Sequence, residues 1–77
     1  MNTVETTLDT RGLYCPEPLM LLHNRIRDMA ADDVVTVLAT DPSTRRDITR
    51  FCEFLGHELL ADEERDGEYS FRIRKQG

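Results

Sequence analysis

The segment that most constrains this chain is Val34-Val35-Thr36-Val37-Leu38-Ala39, a β-branched run that is apolar on both faces. Such a run reads as a central strand of a sheet covered on at least one side. On either side of it, apolar residues return at helical spacing. Leu19, Leu22, Ile26 and Met29 recur at steps of three and four, predicting an amphipathic helix from Pro16 to about Ala30. Ile48, Phe51, Cys52 and Leu55 repeat the pattern between the Asp41-Pro42 break and Gly56, a residue suited to stopping a helix. Pro16 suits the first position of the first helix. Pro18 still falls in the first turn, where backbone N–H groups have no intrahelical acceptor.

The flanks read as strands. Glu5 to Asp9 predicts a short strand closed by an Arg11-Gly12 turn, after a frayed start and before a loop to Cys15. His57 to Glu63, the tight-turn pair Asp66-Gly67, and the alternation of Tyr69, Phe71 and Ile73 with polar residues predict a hairpin. The order is βαβαββ. Two helices with one apolar face each can share one side of a four-stranded sheet of mixed strand direction. The expected fold is therefore α/β in the α+β sense, a two-layer sandwich with a solvated back.

Seventy-seven residues suffice for a single domain spanning 1–77, with no internal repeat, low-complexity stretch or linker. Apolar residues at 39% and charged residues at 32% are ordinary for a small soluble domain. No apolar run approaches the roughly 20 residues of a membrane span, and the first residues lack the basic and apolar regions of a signal peptide. Cytoplasmic localisation is expected. A formal net charge of −5 argues against a dedicated nucleic-acid surface. Arg45, Arg46 and Arg50 form a locally basic stretch, either a solvated helix face or a docking patch for an acidic partner.

Cys15 and Cys52 are too few for a disulfide framework or a four-ligand zinc site, and they form no CxxC motif. Both should be free thiols in a reducing cytosol. Cys52 shares the apolar stripe of the second helix and reads as core. Cys15 precedes the first helix, where unsatisfied N–H groups and the helix dipole favour negative charge, so its thiolate should be more populated than that of a free cysteine. It could simply fill a cap position. However, Gly12, Pro16 and Pro18 fix the backbone around this one thiol, and this favours a reactive cysteine. Glu17 acts both ways, opposing the thiolate while suiting the dipole or a basic partner. Asp9 either orients the loop or is a strand-end turn residue.

Leu8-Asp9, Gly12 and Cys15-Pro16-Glu17-Pro18, a CPxP element, resemble the N-terminal signature of the TusA/SirA family of small sulfur carriers. The resemblance continues through Asp41-Pro42, Thr44, Asp47-Ile48, Phe51-Cys52, His57-Glu58-Leu59 and Ile73-Arg74-Lys75, and is greatest to the TusA branch. It implies that Cys15 accepts sulfane sulfur from a pyridoxal-phosphate cysteine desulfurase and holds it as a cysteine persulfide. Asp9, Gly12, Pro16, Glu17 and Pro18 would support the motif. Further relay proteins would then carry the sulfur toward 2-thiolation of the tRNA wobble uridine. The chain would be a sulfurtransferase-type carrier, a monomer when free, working with partner enzymes rather than turning over alone. It would hold no cofactor or metal and bind neither nucleic acid nor membrane directly.

Two alternatives stay open at this point. The sulfur could serve molybdenum cofactor, sulfur oxidation or selenium metabolism, or the chain could be a regulatory protein-binding module whose cysteine is incidental. No His or Asp lies near enough in sequence to Cys15 to suggest a hydrolytic dyad. His23 and His57 lack ligand-spaced companions and read as structural or solvent-facing, with His57 placed to help terminate the second helix. Met20 and Leu21, off the main stripe, face either a partner or the core edge.

Overall fold

Six elements follow in the expected order: β1 (Glu5–Asp9), α1 (Glu17–Arg27), β2 (Val34–Ala39), α2 (Ser43–Leu55), β3 (Glu58–Arg65) and β4 (Glu68–Arg74). The structure, a computed structural model, describes residues 3–77. The expected frayed start and lack of a signal segment, so far as they concern Met1 and Asn2, lie outside the described residues. The strands form one sheet in the order β1-β2-β4-β3. β1 runs parallel to β2, and β4 is antiparallel to both β2 and β3. The mixed directions follow from the connections, because β1 reaches β2 through a helix whereas β3 reaches β4 through a tight turn. In that turn Asp66 and Gly67 have φ of 53° and 80°, the two positive values that a two-residue hairpin of type I′ requires.

The pleat sorts the central residues. Val35 lies opposite Ile73 and Val37 opposite Phe71. Together with Ala39 they pack against Leu22 and Ile26 of α1 and Ile48, Phe51 and Cys52 of α2. Leu22, Val37, Ile48 and Phe71 are completely buried, and truncating one such aliphatic or aromatic side chain typically costs about 2–5 kcal/mol. The alternate positions of β4 carry Arg72 and Arg74, which pair with Glu5 and Glu58 on the opposite face. The solvated back of the two-layer sandwich is thus a surface of ion pairs between strands.

Four boundaries differ from expectation. α1 starts at Glu17 and not Pro16, since Pro16 occupies the cap position with φ −96° and ψ 10° and leaves Pro18 in the first turn. The helix ends at Arg27 rather than near Ala30. There the N–H of Ala30 turns to the carboxylate of Asp33 (3.0 Å) and the N–H of Asp32 to the carbonyl of Lys75 (2.9 Å), so the chain is drawn toward the sheet. Met29 still packs on the core from beyond the helix. β3 begins at Glu58, one residue later than expected, and continues to Arg65. The left-handed Gly56 (φ 78°) and the N–H of His57, bonded to the carbonyl of Cys52 (3.0 Å), end α2 first. His57 therefore does help terminate α2.

Candidate functional site

Two connections meet at the end of the sheet from which both helices start. The first, 10–16, leads from β1 to α1, and the second, 40–42, leads from β2 to α2. Hydrogen bonds stitch them together. The buried Thr10 donates both its N–H (2.8 Å) and its hydroxyl (2.6 Å) to the carbonyl of Leu38. The N–H of Gly12, at φ 84°, donates to the hydroxyl oxygen of Thr40 (2.9 Å). The N–H of Cys15 donates to Oδ2 of Asp41 (2.9 Å), while Oδ1 of that same carboxylate receives the N–H of Ser43 (3.0 Å) at the start of α2. These two backbone donors hold the Asp41 carboxyl below its ordinary pKa. One carboxylate thereby spans the first turn of α2 and the residue bearing the thiol.

Asp9 shapes the preceding turn. Its Oδ1 accepts the N–H (3.0 Å) and Nε (2.9 Å) of Arg11, and its Oδ2 accepts Nη2 (2.8 Å). The Arg11 guanidinium, then the Arg11 N–H, lower its pKa to about 2. The strand-end turn expected of Asp9 is present in these bonds.

Cys15 is exposed, and its thiol donates a hydrogen bond to Oδ2 of Asp47 on α2 (3.2 Å). That bond corrects the expected thiolate. The hydrogen bond to Asp47, removal from water, and the charges of Asp47 and Asp41 together raise the thiol above the ordinary cysteine value, with Arg46 opposing them. The helix start offers less than its position suggests. Pro16 and Pro18 have no N–H, and that of Glu17 is bonded to the carbonyl of Tyr14 (2.9 Å). Neither Asp41 nor Asp47 could be placed beside the thiol from chain spacing, being 26 and 32 residues away. Their only sequence signal was their place in the Asp41-Pro42 and Asp47-Ile48 pairs.

An open groove between α1 and α2 runs from Pro16 past Leu19, Met20, His23 and Phe51 to Phe54 and Leu55. Met20 is 59% exposed and Phe54 88%. Asp47 and Arg50 form one edge of the groove, so an apolar surface adjoins the thiol. Leu55, expected on the buried stripe, is 42% exposed because the last turn of α2 borders this groove and no other element covers it. Arg45, Arg46 and Arg50 line one open depression with Pro42, Thr49 and Glu53. Arg45 is tied to Asp62 of β3 (3.2 Å), Arg46 lies 3.9 Å from Asp47, and Arg50 has no ion pair among the described residues. Cys52 is 3% exposed, and burial pushes its thiol up to about 11. His23 packs edge-on against Phe51, and His57 accepts the N–H of Gln76 at Nδ1 (3.1 Å). Among the described residues no group of three or more His, Cys, Asp or Glu is placed to hold a metal ion, and no helix is long and apolar enough to cross a membrane.

A single exposed thiol beside a carboxylate acceptor, flanked by an open apolar surface, can act as a nucleophile toward an atom presented by another molecule. Residues 6–75 match the family described as "Sulfurtransferase TusA". The chain is 55% identical over 75 residues to the "Sulfur carrier protein TusA" of Pseudomonas aeruginosa (strain LESB58), covering 97% of this chain and 95% of that one. It is 58% identical over 72 residues to the protein of the same name from Pseudomonas entomophila (strain L48), covering 94% and 90%. The crystal structure of a SirA-like protein from Desulfitobacterium hafniense superposes with a TM-score of 0.83 at 26% identity, over 94% of this chain and 99% of the other. The resemblance read from the CPxP element and the segments around Asp41 and Cys52 thus extends over nearly the whole sequence and fold, and the chain belongs to the TusA family.

Proposed function

We propose that this protein carries sulfur as a persulfide on Cys15, taking it from a cysteine desulfurase and passing it through further carriers toward 2-thiolation of the tRNA wobble uridine. The observation that carries this reading is the exposed thiol of Cys15, held by a backbone bond to Asp41 and a side-chain bond to Asp47, next in the chain to Pro16, which lines the α1–α2 groove. Transfer of sulfane sulfur between thiols needs an accessible sulfur and room for two proteins to bring their own sulfurs to it in turn. Here the loop supplies the first and the open groove the second. The names of the Pseudomonas relatives point the same way, and the destination in tRNA rests on the TusA-like resemblance. The donor docks on the apolar groove around Met20 and Phe54, and the free Arg50 at its edge meets an acidic part of a partner. Asp9, Gly12, Pro16, Glu17 and Pro18 act by fixing where the sulfur lies. The reaction takes place in the cytoplasm and uses no resident cofactor.

Incubation with a pyridoxal-phosphate cysteine desulfurase and L-cysteine tests the reading by intact-protein mass spectrometry. The wild type gains one sulfur atom, which a reducing thiol removes, and Cys15→Ser gains none. A wild type that stays unmodified, or an adduct that persists in Cys15→Ser, overturns it. Loss of 2-thiouridine from cellular tRNA on deletion of the gene tests the destination separately.

A further inference from the structure

The bond from the Cys15 thiol to Asp47 has a direction. An ionised carboxylate only accepts, so the sulfur at the other end is the protonated one. A carrier whose resting thiol is held protonated must give up that proton before its sulfur can attack. Two carboxylates are close enough to matter. Both oxygens of Asp41 are occupied by the N–H groups of Ser43 and Cys15. In Asp47, Oδ1 lies 3.9 Å from Nε of Arg46, and Oδ2 faces the sulfur. Asp47 is therefore the carboxylate with an oxygen directed at the reacting atom. It sits on a full helix of thirteen residues, with a side chain only 20% exposed, so its position is set by the fold.

We infer that Asp47 is the proton acceptor for Cys15 and that the same carboxylate keeps the loaded sulfur ready to leave. This rests on the persulfide reading and assigns a residue to its chemistry. On loading, Sγ of Cys15 attacks the outer sulfur of the donor persulfide. The new Sγ–S bond forms as the donor S–S bond breaks, and the electron pair departs on the donor's inner sulfur as a thiolate. The thiol proton passes to Asp47 and from there to that thiolate. One sulfur–sulfur bond replaces another and no external oxidant or reductant takes part. A persulfide is more acidic than a thiol, so the loaded form presents an anion beside the Asp47 carboxylate, and like charges at this range disfavour it. On unloading, an acceptor thiolate attacks the outer sulfur, the Sγ–S bond breaks with its electron pair left on Sγ, and Sγ takes up the proton that the acceptor thiol released on ionising, restoring its bond to Asp47. The carboxylate thus stabilises the empty carrier and destabilises the full one. The other charged or titratable groups around the pair are Asp41 and Arg46, with Arg50 and, from α1, His23 along the groove beside Asp47.

The test compares wild type with Asp47→Asn, Asp47→Ser and Asp47→Glu in two measurements. The rate of Cys15 alkylation by iodoacetamide is followed against pH, and the loaded fraction is read by mass spectrometry at a fixed ratio of glutathione persulfide to glutathione. Both neutral variants should move the alkylation midpoint to lower pH and raise the ratio of loaded to empty protein about threefold, the size expected of one partly exposed charge. Asp47→Glu should move both back toward wild type. Failure of Cys52 to react before denaturation verifies the fold of each variant. An alkylation midpoint that stays in place in the neutral variants, or a loaded ratio that is unchanged or lower, overturns the inference. If wild-type Cys15 takes no sulfur from either donor, the carrier reading fails, whereas the alkylation profile still reports whether the Asp47 carboxylate keeps the Cys15 thiol protonated.

Discussion

The backbone N–H of Cys15 donates to Oδ2 of Asp41 at 2.9 Å, across 26 residues of chain, while Oδ1 of that carboxylate accepts the N–H of Ser43, the first residue of α2. The position of the thiol is therefore tied to the start of the helix that carries Asp47. Asp41→Ala removes both bonds at once. Amide hydrogen exchange at Cys15 and Ser43 should quicken several-fold, with the amides of Val35 and Val37 in the sheet little changed. Equal acceleration throughout would show that Asp41 supports the whole fold and not this junction in particular.

Phe54 protrudes from α2 at 88% exposure, and nothing among the described residues covers it. Phe54→Ala should alter stability by no more than about 0.5 kcal/mol, as surface substitutions do. If the groove receives the sulfur donor, the same change should slow loading from a cysteine desulfurase about tenfold, the effect of losing one aromatic anchor. Loading from glutathione persulfide, which needs no protein surface, should not change. The two rates, measured in parallel by mass spectrometry, separate docking from chemistry.

Cys52 lies within the core beside Ile48 and Phe51, where burial holds its thiol at about 11. Cys52→Ser places a hydroxyl in that apolar setting and should cost about 1–3 kcal/mol in urea unfolding. Sulfur should still appear on Cys15. A loss of loading in a variant that remains folded would give Cys52 a part in transfer.

The Asp9 carboxyl, held at about 2 by Arg11 against an ordinary 3.8, predicts an acid dependence with a definite sign. A depressed native pKa means that the unfolded chain binds the proton more readily. This contribution to stability is therefore present above about pH 4 and is lost as the pH falls toward 2. Carbon-detected NMR should place the Asp9 titration near 2 in the wild type, and Arg11→Ala should return it toward 3.8. An unchanged midpoint in Arg11→Ala would show that the bonds to Arg11 do not hold the turn in solution.

Sequence alone determined the elements and the sorting of their faces. The run Val34–Ala39 could only be a covered strand. The spacing of Leu19, Leu22 and Ile26, and of Ile48, Phe51 and Cys52, marked two buried helix faces, and Asp66-Gly67 marked the hairpin. These are local patterns of period two or 3.6, and burial followed them. The CPxP element likewise identified Cys15. Tertiary structure decided the state of its thiol. The expectation of a favoured thiolate came from the helix start, a local feature, but Asp41 reaches the backbone N–H of Cys15 and Asp47 its sulfur from a different loop and helix. Charge interactions depend on distance through space, and only the pairing of β1 with β2 brings those two helix starts together. The open groove has the same origin, since the periodicity that placed Leu55 with the core carries no record of where the neighbouring helix stops covering it.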